Sequence, residues 1–211
     1  KVAMGDVNIG ISGKNFEVLL SKDKGGLVSL KYSGQEFITR TPQLLFWRPM
    51  TDNDRGCGHG FERAMWLGAG KFAKVVDLQV TSKEHAVEVS YTYELPLPKQ
   101  ATVQVTYLVD GTGKVNVTAK YPGYPDLPSL PTFGLEFKLP AKYDSMTYYG
   151  RGPAENYLDR KLGARLGTFT TTAKDSVASY LVPQETGNHC DVRSLVLTDD
   201  KEFGLKISAT K

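Results

Sequence analysis

Only two cysteines, Cys57 and Cys190, and three histidines occur among the 211 residues of this chain. Both cysteines have few Cys or His neighbours at metal-ligand spacing, and spacing alone argues neither for nor against a disulfide between them. Long hydrophobic runs are also missing. No stretch approaches the roughly 18 consecutive apolar residues that a spanning helix needs, so no membrane partner is expected. Charge of one sign is not concentrated anywhere: 26 basic and 23 acidic residues are scattered to a net +3. Nucleic acid, which selects clustered Lys and Arg, is therefore not an expected partner. Helical periodicity is nearly absent. A secretory signal pattern is lacking too, and the chain starts at Lys1 rather than at a methionine. That start predicts a processed chain or a piece of a longer one. The end, "FGLKISATK", reads as a strand without a following turn, cut rather than finished.

What the chain does have is period-2 alternation, the mark of strands with one buried face. In "HAVEVSYTYEL" it places Val87, Val89, Tyr91 and Tyr93 on one face, and in "ATVQVTYLV" it does the same for Val103, Val105 and Tyr107. "KVNVTAKY" continues with Val115 and Val117, so three strands form an antiparallel meander. Its last turn is "DGTG", 110 to 113, whose glycines supply positive φ for a tight hairpin. Further strands are expected at 7–11, 16–20, 27–32, 36–38, 132–139, 143–149, 192–197 and 203–208. A single short helix is expected within "GFERAMWLGAG", 60 to 70, with Phe61, Ala64, Met65 and Leu67 on one face. The proline-rich "YPGYPDLPSLP", 121 to 131, cannot sit in a central strand and reads as an exposed loop. Hydrophobic residues at 40% and charged residues at 23% are ordinary for a folded domain, and this length suits one large all-β domain or two small ones. Because the β pattern is alike on both sides of the proline-rich loop, the expectation is one large antiparallel β-sandwich over 1–211.

Three polar clusters interrupt the pattern. In "FWRPMTDNDRGCGHG", 46 to 60, Asp52, Asn53 and Asp54 are oxygen donors in a row and the glycines allow close folding on a ligand. The competing reading, which we favour because no further acidic residue sits at loop spacing, is an Asx turn that caps backbone N–H groups. In "YYGRGPAENYLDRKLG", 148 to 163, Glu155 and Asp159 lie four apart and resemble a glycosidase carboxylate pair, which needs about 5 Å of separation. Arg151, Arg160 and Lys161 crowd them, however, and a carboxylate beside a guanidinium is held ionised, which suits a general acid poorly. An ion-paired structural or interface loop is the stronger reading. In "VPQETGNHCDVRS", 182 to 194, Glu185 and His189 offer an acid/base couple. A lone His in a Gly/Asn turn is more often simply exposed. Aromatics such as Trp47, Trp66 and Tyr157 have faces that stack on sugars, although on strands aromatics mostly fill the core.

The loops carry more than composition does. "FWRPMTDNDRG", "MWLGAG", "YYGRGPAENYLDRKLGARLGTF" and "YLVPQETGNHCDVRSLVL" resemble, in this order, blocks of the C-terminal, small-chain-type β-sandwich domain of the β-galactosidases of glycoside hydrolase family 2. The most specific block runs from Gly150 to Arg160. The resemblance implies a galactose-mutarotase-like supersandwich, truncated at its C-terminal end. It implies a parent enzyme that retains configuration while hydrolysing terminal β-galactosides such as lactose. In that family the catalytic glutamates sit on a (β/α)₈ barrel, so no catalytic residue is expected here and the chain alone should be inactive. Mg²⁺ and a monovalent cation are family ligands at the barrel, and no cofactor is expected in this chain. Asp52, Asn53, Asp54 and Gly56 would line the substrate entrance. Neither Trp47 nor Trp66 matches the tryptophan that the family's sandwich supplies to the sugar site. Arg151, Glu155, Asn156, Tyr157, Asp159, Arg160, Glu185, Asn188 and Arg193 would lie together at one rim and dock on the barrel, the charged ones through charge-assisted contacts. The expected partners are thus the barrel and its galactoside, in a homo-oligomeric parent; a bacterial cytoplasm and periplasm are both left open. Two other functions share the fold class or its uses. One is aldose epimerisation, for which only His59, His85 and His189 are at hand as imidazole acid or base, and the other is stand-alone carbohydrate binding.

Overall fold

The computed structural model describes residues 1–209. The abrupt end expected at Thr210 and Lys211 lies outside the described residues. Fifteen strands and three short helical turns occur among the described residues, so the chain is nearly all-β, as the alternation predicts. It divides into two compact units, residues 1–48 with 56–139, and residues 49–55 with 140–211.

The first unit holds most of the core. One antiparallel sheet runs in order β1 (Val2–Met4), β2 (Asn8–Ser12), β3 (Phe16–Ser21), β4 (Gly26–Tyr32) and β5 (Gln35–Glu36). The strand β6 (Arg40–Leu45) follows, and then the turns α1 (Asp52–Gly56), α2 (His59–Glu62) and a 3₁₀ turn at Ala64–Leu67. A second sheet is the meander β7 (Lys74–Lys83), β8 (Ala86–Glu94), β9 (Thr102–Asp110) and β10 (Val115–Lys120). The strand β11 (Gly134–Lys138) returns to pair with β6. Alternation in β8 and β9 puts Val87, Val89, Tyr91, Val103, Val105, Tyr107 and Val109 inside, and Ile9, Ile11, Val18, Leu20 and Leu27 of the first sheet are buried likewise. At the β9–β10 hairpin only Gly113 takes a positive φ, 90°. Asp110 finishes the turn by accepting from Thr112 N, Thr112 Oγ1 and Lys114 N at 2.9, 2.6 and 3.1 Å.

Two expectations are corrected. The segment 60–70 is two separate turns, and its buried side chain is Trp66, while Phe61 and Leu67 stand exposed. Trp66 stacks on Phe46, 5.4 Å between ring centroids, and donates its indole N–H to Pro128 O at 3.1 Å. One aromatic thus outweighs the helical face, because burying its area and satisfying its N–H in one place is worth more than a weak stripe of small residues. The meander has four strands instead of three. In β7 a register shift between Val75 and Asp77 breaks the alternation that would have revealed it.

The second unit is one antiparallel sheet. Its strands are β12 (Ser145–Gly152), β13 (Arg165–Thr172), β14 (Ser194–Thr198) and β15 (Gly204–Ser208), ordered β13-β12-β14-β15. Its long connections, 153–164 and 173–193, carry the second and third polar clusters.

Candidate functional site

Loop chemistry brings three segments of the second unit together: 51–55, 150–165 and 180–193. The first is a capping box. Thr51 donates N–H and Oγ1–H to Asp54 Oδ2, both at 3.0 Å, and accepts Asp54 N–H at 3.3 Å. Asp54 is thereby committed to starting α1, the capping role weighed above. Among the described residues no group of three or more His, Cys, Asp or Glu is placed to hold a metal ion. Asp52 instead accepts from Arg55 Nη1 at 2.9 Å, while its own N–H donates to Gln184 Oε1 at 3.0 Å. Asn53 Nδ2 donates to Asp159 Oδ2 at 3.1 Å. Gly56 belongs to the first unit and is exposed.

Asn156 is the hub of the other two segments and is only 1% exposed. Its Nδ2 donates to Arg151 O and Ala154 O at 3.0 and 3.1 Å, and its Oδ1 accepts Cys190 N–H at 2.9 Å. Its backbone N–H donates to Asn188 O at 2.7 Å, and Asn188 Nδ2 returns a bond of 2.6 Å to Asn156 O. Both cysteines are free thiols.

Glu155 is the charged node. Its Oε1 accepts from Arg160 Nη2 at 2.7 Å and from the Tyr180 hydroxyl, and its Oε2 accepts Gly187 N–H at 2.7 Å. Burial alone would raise its pKa, but the three donors outweigh burial and hold the carboxyl below its ordinary value. The guanidinium of Arg160 also lies 4.6 Å over the Tyr157 ring and donates to the Tyr180 hydroxyl at 2.6 Å. Burial, with the Glu155 and Glu185 charges beside it, pushes the Tyr157 phenol up to about 12. Arg151 donates Nε–H to Asp191 Oδ2 at 2.5 Å and Nη1–H to Ala164 O at 2.9 Å. The Arg193 guanidinium sits 5.5 Å over the Tyr149 ring. His189 Nδ1 lies 3.1 Å from both Arg151 O and the Tyr148 hydroxyl. A carbonyl only accepts, so Nδ1 carries the proton.

The charges grouped by sequence reasoning are therefore largely satisfied within this unit. Sequence reasoning missed Tyr180, Gly187 and Asp191, which lie 25 to 40 positions from their partners. It also missed the exposed apolar residues of the same loops. Leu158, Leu162 and Leu181 are 82%, 101% and 104% exposed, and Val182 is exposed as well. Leu158 lies within the turn closed by Arg160 N–H on Tyr157 O, and Leu181 follows Tyr180. The available signal was a set of leucines in polar loops, outside any strand alternation.

The model of the family described as beta galactosidase small chain matches residues 12–211. A β-galactosidase of Bifidobacterium adolescentis is 47% identical over 209 residues, covering 98% of this chain and 20% of the relative. That of Streptococcus thermophilus is 47% identical over 208 residues, covering 99% and 20%. A protein named β-galactosidase small subunit from Latilactobacillus sakei is 36% identical over 208 residues, covering 89% of this chain and 65% of that subunit. The chain thus spans about a fifth of the length of the first two relatives.

Proposed function

This chain belongs to the beta galactosidase small chain family, and we propose that it is the β-sandwich part of a retaining family 2 glycoside hydrolase, docking on a catalytic (β/α)₈ barrel carried elsewhere in the enzyme. The substrate of the whole would be a terminal β-D-galactoside such as lactose. Mg²⁺ and a monovalent cation would be held by the barrel, not by residues 52–54. Cleavage would be the barrel's work as well. A retaining enzyme needs a carboxylic acid with a raised pKa to protonate the leaving oxygen. Glu155 is held in the opposite direction by Arg160, Tyr180 and Gly187, which supports a chain that is inactive alone.

The observation that carries the docking reading is the set of bare leucines in loops whose charged groups are largely engaged with one another. Single exposed apolar residues need no explanation, but several gathered in the two loops that Glu155 ties together support an interaction surface. Burying three leucines contributes about 2 kcal/mol each before the costs of association. The internal bonds of Glu155, Asn156 and Arg151 would pre-order those loops so that little loop entropy is lost on docking. Asp52 and Asn53, exposed and tied to Gln184 and Asp159 of the same loops, would edge the substrate entrance.

The test is hydrolysis of a chromogenic β-galactoside by the chain alone and after mixing with the rest of its polypeptide. No turnover alone and activity restored on mixing is the expected result. Turnover by the chain alone overturns the reading and makes Glu155, Asp159 and Glu185 the first residues to replace.

A further inference from the structure

The first unit contains a cleft of about 520 Å³ between β4, β6 and the 70–73 segment. That volume is within the range of small-molecule sites and well beyond what a bare phosphate fills. The residues lining it include Lys24, Arg40 and Lys71 and no carboxylate. Arg40 gives Nη2 to Glu136 Oε1 at 2.7 Å, yet its Nε is buried with no acceptor among the described residues. The Arg40 side chain as a whole is 38% exposed, which leaves a guanidinium at hand for a charge-assisted bond to an anion. Lys24 and Lys71, both exposed, add two further cationic side chains to the lining. Thr41, Gln43 and Tyr93 also line the cleft and carry a hydroxyl, an amide and a phenol. Burial, with Tyr107 and Tyr91 nearby, raises the Tyr93 phenol far above its ordinary value, so it stays a donor at any physiological pH.

We propose that this cleft binds a phosphate-bearing small molecule of the size of a hexose phosphate. The phosphate would take the Arg40 guanidinium and the two lysines, and the hydroxyl-rich body would take Thr41, Gln43 and Tyr93. Neither the docking of the second unit nor turnover enters this assignment. The probes are glucose 6-phosphate, glucose and inorganic phosphate, titrated calorimetrically into the chain at low ionic strength. Glucose 6-phosphate is expected to bind saturably and more weakly as salt is added. Glucose should give no measurable heat, and inorganic phosphate should bind about tenfold more weakly than the sugar phosphate. The double variant K24Q/K71Q should melt as the parent chain does and lose about tenfold in affinity. Q43A should weaken the sugar phosphate without changing inorganic phosphate. No saturable binding, unchanged affinity in K24Q/K71Q, glucose binding as tightly as its phosphate, or inorganic phosphate binding as tightly as the sugar phosphate would each overturn the proposal.

Discussion

Asn156 shows how one side chain can organise two loops. Its amide meets two carbonyls and one N–H, a fork of two donors and an acceptor that only a carboxamide offers, here on the short Asn stem. N156A removes all three bonds, with Arg151 O keeping only His189 Nδ1, and should destabilise the chain by about 3 kcal/mol in urea unfolding. N156D should not rescue it, because an oxygen would then face Arg151 O and Ala154 O. Glu155 makes a pH-dependent contribution. Its carboxyl pKa is lower folded than unfolded, so the unfolded chain binds more protons in acid. The stabilisation is complete above about pH 5 and is lost as pH falls through the depressed folded value. In E155Q, Arg160 loses its counter-charge, and the acid-side slope of stability against pH should flatten. An unchanged slope would place the titration elsewhere.

At the scale of elements, the β9–β10 hairpin and the turn beside β6 are the points of least tolerance. Asp110 is held below its ordinary value first by the Thr112 hydroxyl and then by N–H donors of the same turn. Its share of stability is likewise lost only in acid, and D110N should soften the hairpin, read as faster hydrogen exchange at Thr112 and Lys114. Gly70 is fixed by packing. A Cβ there would lie 1.8 Å from Leu44 O, so G70A must push the segment off β6. Such a shift should cost about 2 kcal/mol, measured as a lowered melting temperature. Gly134, whose Cβ would meet nothing within 4 Å, is the control that should tolerate alanine far better.

For the whole molecule, the question is what covers the second unit. Leu158, Leu162 and Leu181 should be dispensable for folding and needed for partnership. The triple serine variant should melt within about 1 kcal/mol of the parent chain, since side chains this exposed contribute little to the isolated fold. In the mixing assay it should restore little activity. A triple variant that complements as well as the parent chain would remove the leucines from the docking surface. R160A would test the node of the same loops, separating loss of loop order from loss of contact.

Strands with one buried face were legible because β pleating converts burial into alternation, and Val87, Val89, Tyr91, Val103, Val105 and Tyr107 wrote it plainly. β13, with four threonines, and β6, with Pro42 inside it, left no such trace, because their pairing comes from neighbouring strands rather than from their own side chains. The sequence by itself determined the all-β class, the buried faces of β8 and β9, and the loops in which the chemistry is gathered. Only the tertiary structure decided which groups in those loops are engaged with one another. Glu155 finds Tyr180 and Gly187, and Asn156 finds Cys190, across separations of 25 to 34 residues. Such pairs depend on where strands end and loops return in space, and no local spacing encodes that.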